Sequence, residues 1–276
     1  MPELPEVETT RRGIASLITG CQIAELVLRT DKLRWPLEQS LCDTLPGQSI
    51  QSVDRRAKYL LLKCSQGTLI IHLGMSGNLR VVDAETTENK HDHVDLLFTN
   101  GSCLRFNDPR RFGTFIWCAG DPNLHPLLVD LGPEPLSERF SGDYLWTLSR
   151  KRKIAVKPFI MDQKLVVGVG NIYASEALFR AGIRPDAKAG KVSRERYRKL
   201  AAAIREILVQ SIAAGGTTIA DFRQTDGKPG YFKQELQVYG REGEPCPVCA
   251  QPIEIVRLGQ RSTFFLSKLP AVLIFP

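Results

Sequence analysis

No apolar run in this chain of 276 residues reaches the roughly 18 residues that cross a membrane. The N-terminus also lacks the basic, apolar and small-residue succession of a secretory signal, so the sequence reads as a cytoplasmic protein. Disulfide spacing is missing as well. Of seven cysteines, Cys21, Cys42, Cys64, Cys103 and Cys118 are scattered without a pairing pattern, as thiols of a reducing compartment are. No histidine lies beyond His125, and there is no internal repeat or low-complexity tract. Acid is the scarcer charge: 30 Asp and Glu stand against 37 Lys and Arg, and the net charge of +7 favours a polyanionic partner.

What is present divides into three stretches. Val7, Ile14, Leu17 and Ile18 recur at helical spacing, with Pro5 suited to a first helical turn, Glu6 and Glu8 to its positive end and Gly20 to its stop. From about residue 22 to 118 short strands alternate with turn signals: AKYLLLK, SQGT, LIIHLGM, HVDLLFT, then Asn100-Gly101, SCLRFN and FGTFIWC. This predicts an antiparallel β-sandwich with a flanking N-terminal helix over residues 1–133. Gly132-Pro133-Glu134-Pro135 reads as a linker to a helical domain, 134–236, whose longest helix has Tyr197, Leu200, Ala201, Ile204, Leu208 and Ser211 on one face, Ser193 as cap and Gly215-Gly216 as stop. Composition changes again before Cys246-Pro-Val-Cys249, which marks a third unit, 237–276. The fold class is α+β, multidomain.

Several groups could carry chemistry. Pro2 and Glu3 precede the first helix and are not explained by it. Removal of the initiator methionine would leave Pro2 as a secondary amine. An α-amino group titrates near about 7.7 to 8.0, well below lysine, so it is the readier nucleophile at neutral pH. An adjacent carboxylate can move protons. The basic run Arg150-Lys151-Arg152-Lys153 with Lys157 could meet phosphates or be a solvated face. GVGN at 168–171 turns tightly into a helix whose first N–H groups suit a phosphate, but it is no dinucleotide fingerprint.

The blocks MPELPEVET, RRAKYLL, HLGMSG, KHDHVD, DPRRFG, LGPEPL, VVGVGNIYASEALF, GGTT, DGKPGYF and QVYGR occur in the order and approximate spacing of the formamidopyrimidine-DNA glycosylase family, which the chain resembles. The resemblance runs from residue 1 to about 265. It implies a base-excision repair enzyme for double-stranded DNA, acting as a monomer. Such an enzyme removes oxidised purines such as 8-oxoguanine and formamidopyrimidines, then cuts the abasic site by β,δ-elimination. By the same resemblance Pro2 forms a Schiff base at C1′, Glu3 is the acid-base group, Lys58 the proton donor and Arg261 an aid to δ-elimination. Met75, Arg110 and Phe112 fill the space left by the extruded nucleotide. His91, Arg110, Arg152, Lys157 and Asn171 contact DNA, the helical domain is a helix-two-turn-helix, and residues 225–232 form a loop over the extruded base. Leu4, Met75 and DPRRFG resemble the purine-lesion branch more than the endonuclease VIII type.

The family ends in a zinc-finger β-hairpin of spacing C-x2-C-x16-C-x2-C, which implies one zinc per chain. Here Cys246 and Cys249 remain, while Leu266 and Leu269 stand where the second pair is due. Two thiolates do not close a tetrahedral site, so zinc is doubtful. A one-base change of frame near codon 265 would explain the tail: one nucleotide stretch reads Phe-Leu-Ser-Lys-Leu-Pro in one frame and Phe-Cys-Pro-Asn-Cys-Gln in the next. The alternative is a metal-free hairpin held by Phe264, Phe265, Leu266 and Leu269. For function, the alternative is a non-catalytic or impaired DNA-binding relative.

Overall fold

In a computed structural model, residues 2–215 and 236–267 are described. They divide into two compact units, the first built on residues up to Val129, the second on Asp130–Ser211 and the described residues from 236 on.

Helix α1 (Leu4–Ile18) opens the first unit, burying Val7, Ile14 and Ile18 of the predicted face together with Leu4, whereas Leu17, also expected on that face, is turned outward and 52% exposed; the chain turns away at Gly20 with φ 85°. Eight strands follow: β1 (Ile23–Leu28), β2 (Ile50–Arg56), β3 (Tyr59–Cys64), β4 (Gly67–His72), β5 (Asn78–Asp83), β6 (Asp92–Phe98), β7 (Ser102–Asn107) and β8 (Thr114–Cys118), with the one-turn helix α2 (Leu41–Thr44) after β1. They form two antiparallel sheets of four, in the orders β1-β6-β7-β5 and β2-β3-β4-β8. Ile23, Leu96, Leu104 and Phe106 of one sheet share a single apolar core with Ile50, Leu60, Leu62, Leu69, Ile71 and Phe115 of the other, and α1 closes it with Val7, Ile14 and Ile18. This is the β-sandwich that short apolar runs separated by turn signals predict, with β3, β4, β6 and β7 buried almost continuously.

Two strands are shorter than their apolar runs. AKYLLLK begins pairing only at Tyr59, because Ala57 adopts φ 54° in the turn from β2. LIIHLGM stops at His72, because Gly74, at φ 66°, bends the chain against Phe112, where a Cβ would overlap the backbone. Both departures put candidate residues in the turns beyond the strand ends, Lys58 buried and Met75 half-buried. Asn100-Gly101 makes the expected hairpin between β6 and β7, Gly101 taking φ 82° while the Asn100 side chain accepts from the Ser102 N–H at 3.0 Å.

The second unit holds α3 (Gly142–Ser149), α4 (Val156–Ile160), α5 (Asn171–Arg180) and α6 (Arg194–Ala213), then the hairpin strands β9 (Glu254–Leu258) and β10 (Arg261–Phe265). Ser193 caps α6 by accepting from the Arg196 N–H at 3.3 Å, and the whole predicted face from Tyr197 to Ser211 is buried. Gly132, in the stretch read as a linker, donates to Gln163 at 2.8 Å, and Val167 donates to Pro133 at 3.2 Å, so this stretch is fastened inside the second unit. In the hairpin Leu258 faces Arg261 across Gly259 and Gln260, whose φ values of 53° and 62° make a two-residue turn of the primed kind. Among the described residues no helix is long and apolar enough to cross a membrane.

Candidate active site and nucleic-acid interface

The candidate residues fall into two groups, one in each unit. In the first, Pro2 is buried and Glu3 is 2% exposed at the mouth of α1. Glu6, buried one turn on, accepts from the Glu3 backbone N–H at 2.8 Å. It therefore fixes the Pro2-Glu3 peptide rather than merely suiting a helix dipole, and sequence reading missed that. Glu8 is also more than a dipole residue: it receives Arg11, Arg12 and Arg55 at 2.9, 2.9 and 3.1 Å. Burial alone would raise its carboxyl, but these guanidinia hold it down to about 2.

The same ion cluster reaches Lys58. Arg55, on β2, donates to the carbonyl of Ala57 at 2.8 Å, so α1, β2 and the turn that presents Lys58 are tied in sequence. Lys58 is 5% exposed. Beside it, burial and then the Lys58 and Arg34 charges push His72 down to about 4. Its Nδ1 accepts from the Gly74 N–H at 2.9 Å, which puts the remaining proton of this neutral ring on Nε2. His72 opens the HLGMSG block, yet nothing in the sequence alone marks it as the neighbour of Lys58.

Met75, Arg110, Phe112 and His91 come from three segments that meet around Asp108. This buried carboxylate accepts from the Ser76 hydroxyl at 2.6 Å, the Arg110 N–H at 3.3 Å and the Gly113 N–H at 2.8 Å. Its own N–H donates to the His91 carbonyl at 3.0 Å, and its carbonyl lies 3.1 Å from His93 Nε2. The hub leaves Phe112 43% exposed, with the Arg110 guanidinium 5.3 Å from its ring centre. An exposed phenylalanine under an exposed arginine is what a wedge into a base stack needs and not what a core residue looks like. Asp108→Ala is expected to cost at least about 3 kcal/mol in chemical denaturation, since it removes three hydrogen bonds to a buried carboxylate.

In the second unit Arg152 is exposed, while its backbone is held by Ser149 and Gly190 at 2.9 and 3.0 Å. Lys157, expected as a phosphate ligand, is 1% exposed, and its ammonium donates to the Thr263 hydroxyl at 2.9 Å and the Ser262 carbonyl at 3.2 Å. Asn171, at the first turn of α5, donates to the same Ser262 carbonyl at 3.0 Å. Both residues thus grip the strand that begins with Arg261, which is itself exposed beside the hairpin turn. Glu176, unremarked in the sequence, is fully enclosed and accepts the N–H groups of Gln237, Val238 and Tyr239 at 2.9, 3.0 and 2.8 Å. Burial raises its carboxyl despite these bonds. It anchors the chain's entry into the hairpin on α5.

Cys246 and Leu266, 3% and 1% exposed, lie in one apolar cluster with Phe179, Val238 and Ile253, against which Cys249 and Phe264 pack. Among the described residues no group of three or more His, Cys, Asp or Glu could hold a metal. Leu269 and the loop at 225–232 lie outside the described residues.

The first unit thus presents a buried Pro-Glu start, a buried lysine in the turn before β3 and an exposed Arg-Phe pair, and the second a helical unit with an exposed basic run. Residues 1–115 match the model of the formamidopyrimidine-DNA glycosylase N-terminal domain and residues 131–223 that of the H2TH domain of the same enzymes. A formamidopyrimidine-DNA glycosylase of Alkalilimnicola ehrlichii is 56% identical over 271 residues, covering 96% of this chain and 98% of its own. The wild-type Lactococcus lactis Fpg (MutM) in complex with DNA containing N7-benzyl-Fapy-dG has a TM-score of 0.88 at 35% identity, covering 96% of this chain and 98% of that one. A MutM structure with DNA containing carbocyclic 8-oxo-G also has a TM-score of 0.88 at 35% identity, covering 96% and 97%. The chain belongs to the formamidopyrimidine-DNA glycosylase family.

Proposed function

We propose that this chain is a base-excision repair enzyme that releases oxidised purines, 8-oxoguanine and formamidopyrimidines, from double-stranded DNA and then cleaves the abasic site. It works as a single chain in the cytoplasm, on the nucleoid. The relatives supply the lesion class, and the buried Pro2-Glu3 pair at the start of α1 carries the chemistry.

The Pro2 nitrogen, freed of Met1, attacks C1′ of the damaged nucleotide. The C1′–base bond breaks and the departing base takes a proton from solvent; Glu3 then carries the amine proton to the ring oxygen, the C1′–O4′ bond opens, and an iminium ion forms. The positive nitrogen acidifies the C2′ hydrogens. The Glu3 carboxylate takes one of them, the C3′–O bond breaks, and Lys58 gives its proton to the departing 3′ phosphate oxygen. A second elimination, assisted by Arg261, expels the 5′ phosphate. Extruding the nucleotide costs roughly a few kcal/mol, and Met75, Arg110 and Phe112 offset part of this by filling the stack, with Arg110 bonding the partner base. His91, Arg152 and Asn171 meet the backbone. Lys157 supports them by steadying the strand that bears Arg261.

We assign the reaction to the first unit, the grip on DNA to the helices of the second, and Arg261 to the hairpin of β9 and β10. The residues present do not fit the family's zinc: two thiols remain, and Leu266 packs as an aliphatic group where a third donor would be. We read the hairpin as metal-free.

Borohydride trapping on 8-oxoguanine duplex tests the proposal. A covalent adduct retained through denaturation is expected. Tight binding without an adduct would instead make this chain a non-catalytic DNA-binding relative.

A further inference from the structure

We propose that Arg34, braced on Trp35, is an additional ligand for a backbone phosphate of the DNA at the reaction centre; this rests on the function proposed above. The two residues form the tip of a tight loop between β1 and α2. Leu33 and Leu37 are buried beneath it, Lys32 and Pro36 bridge, and Leu37 donates to Asp31 at 2.9 Å. The loop is strapped to the site from both sides: Arg29 donates to the His93 carbonyl at 2.9 Å, and the Arg34 N–H to the Gly113 carbonyl at 3.1 Å. Gly113 follows Phe112 directly, so the tip adjoins the wedge. On its other side the Arg34 charge reaches His72 and Tyr59, whose rings lie 4.8 Å apart.

Most arginines of the sandwich serve carboxylates. Arg11, Arg12 and Arg55 meet Glu8; Arg29 and Arg105 meet Asp95; Arg80 meets Asp92. Arg34 makes no ion pair among the described residues, and its guanidinium lies 5.3 Å from the centre of a Trp35 ring that is 40% exposed. A second cation, Lys58, acts on the same His72 ring. With no carboxylate on it among the described residues, the Arg34 guanidinium is left to an anion from outside the chain. Stacking also holds the planar fork in one orientation, which lowers what is lost when it grips a phosphate with two N–H bonds. The role is invisible in the sequence, where LRWP reads as an ordinary turn.

Counterion release supplies a readout that a structural role does not move. Fluorescence anisotropy on a duplex with a stable abasic-site analogue, from about 50 to 200 mM salt, gives the slope of log K against log salt. Arg34→Gln is expected to reduce that slope by about 0.9 and to weaken binding about tenfold at the low-salt end, with an unchanged melting temperature. Arg34→Lys should keep the slope and lose part of the affinity. Trp35→Leu should do likewise, since it frees the guanidinium without removing its charge. An Arg34→Gln slope equal to that of the starting protein overturns the proposal, as does a slope lost equally in Arg34→Lys. Borohydride trapping by the unsubstituted protein separates the two ideas: no adduct with a normal Arg34 slope effect would sink the enzyme reading and leave the phosphate contact standing.

Discussion

Glu3→Gln is expected to slow base release by about 10²- to 10⁴-fold in single-turnover assays on 8-oxoguanine duplex, the usual worth of a positioned acid-base group. The substitution nearly preserves shape. Glu3 is 2% exposed and is the N-cap of α1: the Glu6 carboxylate holds its backbone N–H at 2.8 Å, and the glutamine amide oxygen can still accept from the Glu6 N–H as the Glu3 carboxylate does. Helix α1 keeps its start, so the melting temperature should move little while the rate collapses. Binding to the abasic-site analogue should stay within a few-fold, because the lost group serves proton transfer and not phosphate contact. A Glu3→Gln protein that releases base at the ordinary rate would remove Glu3 from the mechanism. Pro2→Gly, which swaps a secondary for a primary amine, tests the neighbouring step by its effect on adduct formation.

Much of this site is legible because it lies near the ends of regular elements. Short apolar runs between turn signals announce the strands from Ile50 to Cys118, and the helical period announces α1 and α6. Pro2 and Glu3 stand out because the helix following them leaves them unexplained. What stays hidden depends on segments distant in sequence. Asp108 looks like the first letter of DPRRFG, but its role comes from Ser76, Arg110 and Gly113 meeting on its two oxygens. Glu6 and Glu8 fit a helix N-terminus so well that their particular partners could not be inferred. Lys157 belongs to a basic stretch whose neighbours Lys151, Arg152 and Lys153 are exposed. Only the fold shows that it turns inward to Ser262 and Thr263. The late start of β3 has the same character: Ala57 at φ 54° is a backbone choice that no composition rule favours for alanine.

Purified protein is expected to contain far less than one zinc per chain, and a strong chelator should leave borohydride trapping unchanged. A structural zinc contributes roughly 10 to 16 kcal/mol in finger peptides, so a hairpin lacking it needs other support. Here Leu266, 1% exposed, packs with Cys246, Ile253, Val238 and Phe179. Phe264 stacks edge-on to Tyr239 at 5.1 Å, and Arg184 sits 5.6 Å from the Phe265 ring centre. Glu176, Lys157 and Asn171 add polar ties to the segment entering the hairpin and to β10. Leu266→Ala should therefore cost about 2 to 5 kcal/mol within this hairpin, seen as faster proteolysis between residues 236 and 267. The tip that carries Arg261 would loosen with it, so product should shift from δ- towards β-elimination while Pro2 adduct formation continues. A zinc-held hairpin behaves in the opposite way: chelator would release it, and Leu266→Ala would change little. Zinc near one per chain together with chelator sensitivity would show that some ligand set other than Cys246, Cys249 and an aliphatic cluster holds this end of the chain.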